Sequence, residues 1–274
     1  MPYHRFSPQD VGICLSTLTP NPRAVSERDV EAMLHACSAC GFRSIAMGAN
    51  YGNITGIERL RQLISDLELE VRVIEAITSW TEGAETSQAE TRAAAEFAAA
   101  TGADILMAAT IAQQMDFERA VEGLAAACKM ADDRGLRVAL EFIPNTAVPD
   151  LKTAWRLVNA SGSDNAGLVI DCLHWLHQPG GPDVGLLRRI PPERIHYVQL
   201  CDSPVATAPA GAQYIPFAMT DRAAPGEGVV DIGELIGELE SMGAEPFYAL
   251  EVFNSALAAS GPMNMAHRLK RAIQ

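Results

Sequence analysis

Four positions in the second half of the chain carry side chains suited to holding a cation and moving protons: Glu141, Asp171, Gln199 and Glu251. Each stands at the end of an apolar run, Val-Ala-Leu-Glu141, Leu-Val-Ile-Asp171, Tyr-Val-Gln199 and Tyr-Ala-Leu-Glu251, that reads as a short strand. Side chains alternate along a strand, so Glu141 shares a face with Ala139, Asp171 with Val169, Gln199 with Tyr197 and Glu251 with Ala249. The other face carries bulkier aliphatics such as Val138, Leu140, Leu168 and Ile170. All four polar residues therefore fall on one phase, at the same end of their strands. One strand-end polar residue is usually a cap or a loop hydrogen-bond partner; four in phase on successive strands point to a shared site.

Three carboxylates converging at one place repel one another and resist ionisation. A single divalent cation removes that conflict, and oxygen donors suit a hard ion, Mn²⁺ or Mg²⁺, with Co²⁺ as a substitute in vitro. Zinc is less natural because the set has no His or Cys. A cation that polarises a carbonyl between two carboxylates is equipped to remove the α-proton and stabilise the resulting enediolate. Glu141 and Glu251 are the candidate acid/base pair. Returning the proton to the opposite face makes an epimerase, and returning it to the neighbouring carbon makes an isomerase. Expelling a β-hydroxyl makes a dehydratase.

The elements that must position these residues alternate along the chain. Strands are expected at Gly12–Ser16, Phe42–Met47, Glu70–Ile77, Asp104–Ala109, Arg137–Phe142, Gly167–Asp171, Ile195–Leu200 and Phe247–Val252. Helical patterns lie near 27–40, 54–68, 88–101, 116–134, 149–160, 183–189, 231–242 and 263–273. Ser26 and Asp231 are caps, and Gly41, Gly102, Gly135 and Gly243 mark helix-to-strand turns. Eight βα units predict a (β/α)8 TIM barrel, with residues 1–274 as one domain. A doubly wound sheet also alternates, but no G-x-G-x-x-G follows the first strand and the polar residues sit at several strand ends rather than at one switch point.

The segments Leu140-Glu141-Phe142-Ile143-Pro144-Asn145-Thr146, Asp171-Cys172-Leu173-His174, Tyr197-Val198-Gln199-Leu200-Cys201-Asp202 and Ala249-Leu250-Glu251 resemble the xylose isomerase-like sugar isomerase/epimerase barrels. The resemblance covers residues 137 to 254 and is thin before them. It implies one Mn²⁺, Mg²⁺ or similar ion held at Glu141, Asp171, the third position and Glu251, with both glutamates moving protons. Most of these barrels have His where this chain has Gln199. Gln is found there in 3-dehydroshikimate dehydratase-like members, whose Val-Gln-Leu-x-Asp pattern this chain shares, together with Arg222 ahead of Pro225-Gly226-Glu227-Gly228. The first expectation is an isomerase or epimerase of a small polyhydroxy carbonyl compound. The second is a lyase acting on a hydroxy-keto acid, and a remote third is an endonuclease IV-like DNA repair enzyme.

Other residues carry weaker signals. His174, on the loop leaving its strand, is placed to touch substrate, a role the resemblance also gives it. His177 serves equally as a substrate contact or a surface residue, and His196, in the outward phase, is expected against a helix. Arg222 offers a fork of donors to a substrate carboxylate or carbonyl oxygen. It lies in a long segment, Asp202 to Val230, where Asp202 and Glu227 are candidate supporting partners. The lysines, Lys129, Lys152 and Lys270, all sit in helical patterns, which excludes a Schiff-base mechanism at the strand ends.

Composition bounds the partners. A formal charge of −13 and a pI near 4.9 disfavour nucleic acid and anionic membranes. Met1 to Asp10 shows no secretory signal, and the Ala-rich stretch 93–112 is broken by Glu96, Gly102 and Asp104. The six cysteines lack disulfide-framework spacing, and Cys37-x-x-Cys40 reads as two buried thiols. A reduced, cytoplasmic protein is expected, with a homodimer as the favoured assembly.

Overall fold

The computed structural model describes residues 6–22 and 24–274; part of Met1 to Asp10, read above for a secretory signal, lies outside them. Eight parallel strands close into a ring in sequence order: β1 (Gly12–Cys14), β2 (Ser44–Gly48), β3 (Glu70–Ile77), β4 (Ile105–Ala108), β5 (Arg137–Glu141), β6 (Ala166–Asp171), β7 (Ile195–Leu200) and β8 (Phe247–Leu250). The helices are α1 (Glu27–Cys40), α2 (Asn50–Thr55), α3 (Ile57–Asp66), α4 (Ala84–Thr101), α5 (Phe117–Asp132), α6 (Leu151–Ser161), α7 (Cys172–His177), α8 (Val184–Leu187), α9 (Tyr214–Thr220), α10 (Ile232–Met242), α11 (Ser255–Ala258) and α12 (Pro262–Ile273). This is the expected TIM barrel.

Local chemistry explains the boundaries. Ser26 accepts from the Asp29 amide while Asp29 accepts in return from Ser26, a capping box that opens α1, and Gly41 closes it with a left-handed φ of 88°. Asp231 caps α10 by accepting from the Glu234 amide. The pattern expected as one helix over 54–68 is divided at Gly56, whose φ of 80° no helix accommodates. The Ala face of α4 packs on α5, and at Gly123 a Cβ would stand 1.9 Å from the Trp80 carbonyl oxygen, so only glycine admits this approach. All six cysteines are buried free thiols, including Cys37 and Cys40.

Register carries the inward phase round the ring. Glu141 stands opposite Val169, Asp171 opposite Gln199, and Gln199 opposite Ala249. A register shift at Leu168/Val169 inserts His196 as an extra residue. Its imidazole lies beside Gly167, where a Cβ would be 2.4 Å away, with Nδ1 3.3 Å from the Val138 carbonyl oxygen. His196 thus packs against the neighbouring strands β5 and β6. No helix among the described residues is long and apolar enough to cross a membrane.

Candidate active site

A cavity of about 280 Å³ opens over the C-terminal ends of the strands, with Glu75, Glu141, His174, Arg222 and Glu251 in its wall. Glu141 ends β5, while Glu251 directly follows β8. They are 4% and 3% exposed. Burial pushes both carboxyls well above the usual carboxylate range, and neighbouring acids add to the rise while Arg222 opposes it.

Asp171 serves its own backbone as well as the site. Its Oδ1 accepts from the His174 amide at 3.0 Å, making Asp171 the cap of α7. The residue expected on a loop, His174, is therefore on a helix that Asp171 begins. Its Nε2 lies 3.6 Å from Glu141 Oε1 and its Nδ1 2.7 Å from the Tyr214 hydroxyl, contributed by α9. Burial lowers the His174 pKa to about 4, so the ring is neutral near pH 7. One oxygen or nitrogen from each of Glu141, Asp171 and His174 falls within 4.8 Å of the others, a carboxylate/His cluster with metal-binding spacing.

Arg222 is the surprise of the site. It is 2% exposed, and its Nη1 donates to Asp171 Oδ2 at 2.5 Å and lies 3.0 Å from Glu251 Oε2. The same nitrogen donates to the Glu251 carbonyl oxygen at 3.1 Å, while Nε donates to the Ala218 carbonyl oxygen at 2.7 Å. Its guanidinium also lies over the Phe253 ring at 4.8 Å. Burial would raise the Asp171 carboxyl, but Arg222 and the surroundings of His174 outweigh burial and hold it below its ordinary value. Asp202 is the anchor of this loop. It accepts from the amides of Ser203, Gly226, Gly228 and Val230, and its backbone bridges to Ala223. Glu227 turns outward to Arg268 at 2.7 Å.

Gln199 donates through Nε2 to Glu251 Oε1 at 2.8 Å. Its Oε1 is buried with no hydrogen-bond partner among the described residues. A buried acceptor left unmet costs about 1–3 kcal/mol. A nearby cation would meet it, but Glu251 is not drawn into the group of Glu141 and Asp171: among the described residues these three acids do not share one 4.8 Å cluster, and Arg222 lies between Asp171 and Glu251. The set expected from the sequence, Glu141, Asp171, Gln199 and Glu251, is all oxygen and suits a hard divalent ion, whereas the cluster of Glu141, Asp171 and His174 adds a nitrogen donor.

The cavity wall departs from the sequence reading at two residues. His177 is not brought to the cavity wall: its Nε2 lies 3.1 Å from the Val205 carbonyl oxygen, and its ring meets Tyr214 edge-on. Glu75 was not foreseen. It points inward from β3, accepting from the Cys14 thiol and the Tyr197 hydroxyl, each at 3.0 Å, and burial raises its carboxyl. Glu75, Cys14 and Glu251 form a second cluster within 4.8 Å. The signal lay in the alternation Val71, Val73, Glu75, the same inward phase that marks the other four.

Comparison with known proteins agrees with this architecture. Over 131 residues, 47% of this chain and 20% of the relative, the chain is 27% identical to 3-dehydroshikimate dehydratase of Pseudomonas putida. Over 127 residues, 46% of this chain and 42% of the relative, it is 29% identical to inosose isomerase of Halalkalibacterium halodurans. The chain thus spans less than half the length of these curated relatives. The crystal structure of the IOLI protein with a zinc atom superposes with a TM-score of 0.80 at 18% identity, covering 96% of each chain, a likeness of fold. Residues 34–272 match the family described as xylose isomerase-like TIM barrel, and the chain belongs to that family.

Proposed function

We propose that this protein is a divalent-metal-dependent isomerase or epimerase of a small polyhydroxy carbonyl compound, acting by removal of the proton α to the carbonyl. The observation that carries this reading is the placement of Glu141 and Glu251 in the wall of one cavity, from strands three apart in an eight-strand ring. A substrate carbon between them would meet a carboxyl group on either side. One glutamate takes the α-proton, and the other delivers a proton to the opposite face or to the neighbouring carbon. His174, held by Tyr214 beside Glu141, is placed to hydrogen-bond a substrate hydroxyl and keep the reacting carbon facing that carboxylate. Arg222 fixes Asp171 and Glu251, so the second glutamate is presented in one orientation. Glu141, Asp171, Gln199 and Glu251 would hold Mn²⁺ or Mg²⁺, which when bound supplies charge stabilisation to the carbonyl oxygen as the proton leaves.

A second reading, dehydration of a hydroxy-keto acid, is favoured by Gln199 in place of His and by the likeness to 3-dehydroshikimate dehydratase. The two part company in one experiment. Protein reloaded with Mn²⁺ is incubated in D₂O with ketohexoses and inososes, and separately with 3-dehydroshikimate. Solvent deuterium at a substrate carbon without elimination is the expected result. Absorbance of an aromatic product from 3-dehydroshikimate would install the lyase instead, and neither signal would defeat both.

A further inference from the structure

The cavity is divided by polarity. Its deep wall holds Glu75, Glu141 and Glu251, and the polar residues nearer the surface, Ser16 and Asn50, come from the β1–β2 side. The side built by the ends of β4 and β5 and by α9 is apolar: Ile111, Ile143, Ile215 and Met219. Ile111 is 64% exposed and Met219 38% exposed, among the few large apolar side chains left in water. Apolar groups this open at the rim of a cavity usually mark where something apolar is received. Charge gives a second constraint. Arg222 is the one Lys or Arg in the wall among the described residues, and it is already bound to Asp171 and Glu251. No unpaired Lys or Arg remains in the wall, among the described residues, to meet a phosphate or carboxylate.

We propose that the substrate is uncharged and carries an apolar edge away from its carbonyl, as a deoxy- or alkyl-bearing sugar does, and that Ile111 and Met219 receive this edge. For the carbonyl end this rests on the reaction proposed above. A hydroxyl set against Ile111, Ile143 and Met219 would lose its water and find no partner, whereas a methyl group would gain contact.

The test is calorimetric titration of the Mn²⁺-loaded protein with four compounds: a ketohexose, its 6-deoxy analogue, its 6-phosphate and its C6 carboxylate. The deoxy compound is expected to bind about tenfold tighter than the parent. The phosphate and carboxylate are expected to bind at least about a hundredfold weaker than it. In the variant I111N/M219Q the ratio of deoxy to parent affinity falls toward one. An equal or tighter grip on either anion, a parent sugar bound as well as its deoxy analogue, an unchanged ratio in the variant, or no binding of any of the four overturns the proposal. Deuterium exchange into the bound compounds is followed separately. Tight binding of the deoxy sugar without exchange defeats the proposed reaction alone; exchange with the wrong order of affinities defeats the substrate class alone.

Discussion

Replacing Glu251 by Gln keeps the side chain's shape while removing a charge and a proton carrier. Proton exchange with substrate is expected to fall about 10²–10⁴-fold, the usual loss when a positioned acid/base is removed. Calorimetry should show Mn²⁺ binding weakened as well, and unimpaired exchange would remove Glu251 from the mechanism. Arg222 poses the complementary question. In Arg222→Met, Asp171 and Glu251 remain buried without their cation, and the metal-free protein should lose about 3–5 kcal/mol of stability. Urea unfolding with and without Mn²⁺ reads this directly, since an ion bound by the same carboxylates should restore part of the loss. Arg222→Lys, which keeps the charge, should lose less. An Arg222→Met protein as stable as the parent would show that the bridge carries no net stabilisation.

The elements were legible wherever one local rule decided them. The Ser26 capping box and the Gly41 and Gly102 turns are written in neighbouring residues, and β3 and β7 were expected with the bounds the structure has. Helix α7 was missed because Asp171 was read as a site residue alone, though Asp followed three positions later by His174 also spaces a cap from the amide it accepts. The segment Asp202 to Val230 looked like bare loop; the apolar cluster Tyr214-Ile215-Pro216-Phe217 was the sign of α9, which brings Tyr214 to His174. The bridge from Arg222 to two strand ends could not be read at all, because it depends on how the Asp202-anchored loop folds back over the barrel. Asp202→Ala should therefore lower stability by about 2–3 kcal/mol, since three loop amides lose the one buried carboxylate they share. Limited proteolysis should then cut within 203–230 faster, and an unaltered cleavage pattern would show that other contacts hold the loop. Gly123→Ala probes the contact of α5 with the turn at Trp80–Gly83, where the backbone must move to admit a methyl group. Thermal unfolding should show a loss of at least about 2 kcal/mol.

Across the whole molecule, acid stability is tied to a residue far from the chemistry. His196 is buried neutral at the N-terminal end of β7, and burial lowers its pKa from 6.5 to about 4. Between those values the unfolded chain binds a proton that the folded chain refuses, so stability is full above the unfolded value and falls as pH drops toward 4. The slope for one such group is about 1.4 kcal/mol per pH unit. His196→Gln should flatten the denaturation profile between pH 6.5 and 4 by that amount, and an unaltered profile would move the acid sensitivity elsewhere. The distribution of work round the ring has another consequence. The proposed metal ligands, both proposed proton carriers, His174 and Arg222 all come from the half of the barrel that begins at β5, while Ile111 precedes that half and Met219 lies within it. Recombination at the seam between β4 and β5 would transmit the reaction, together with Met219, as one contiguous heritable piece and exchange only the Ile111 side of the apolar rim, so descendants of such a crossover should keep the bond they act on and differ modestly in the molecule that carries it.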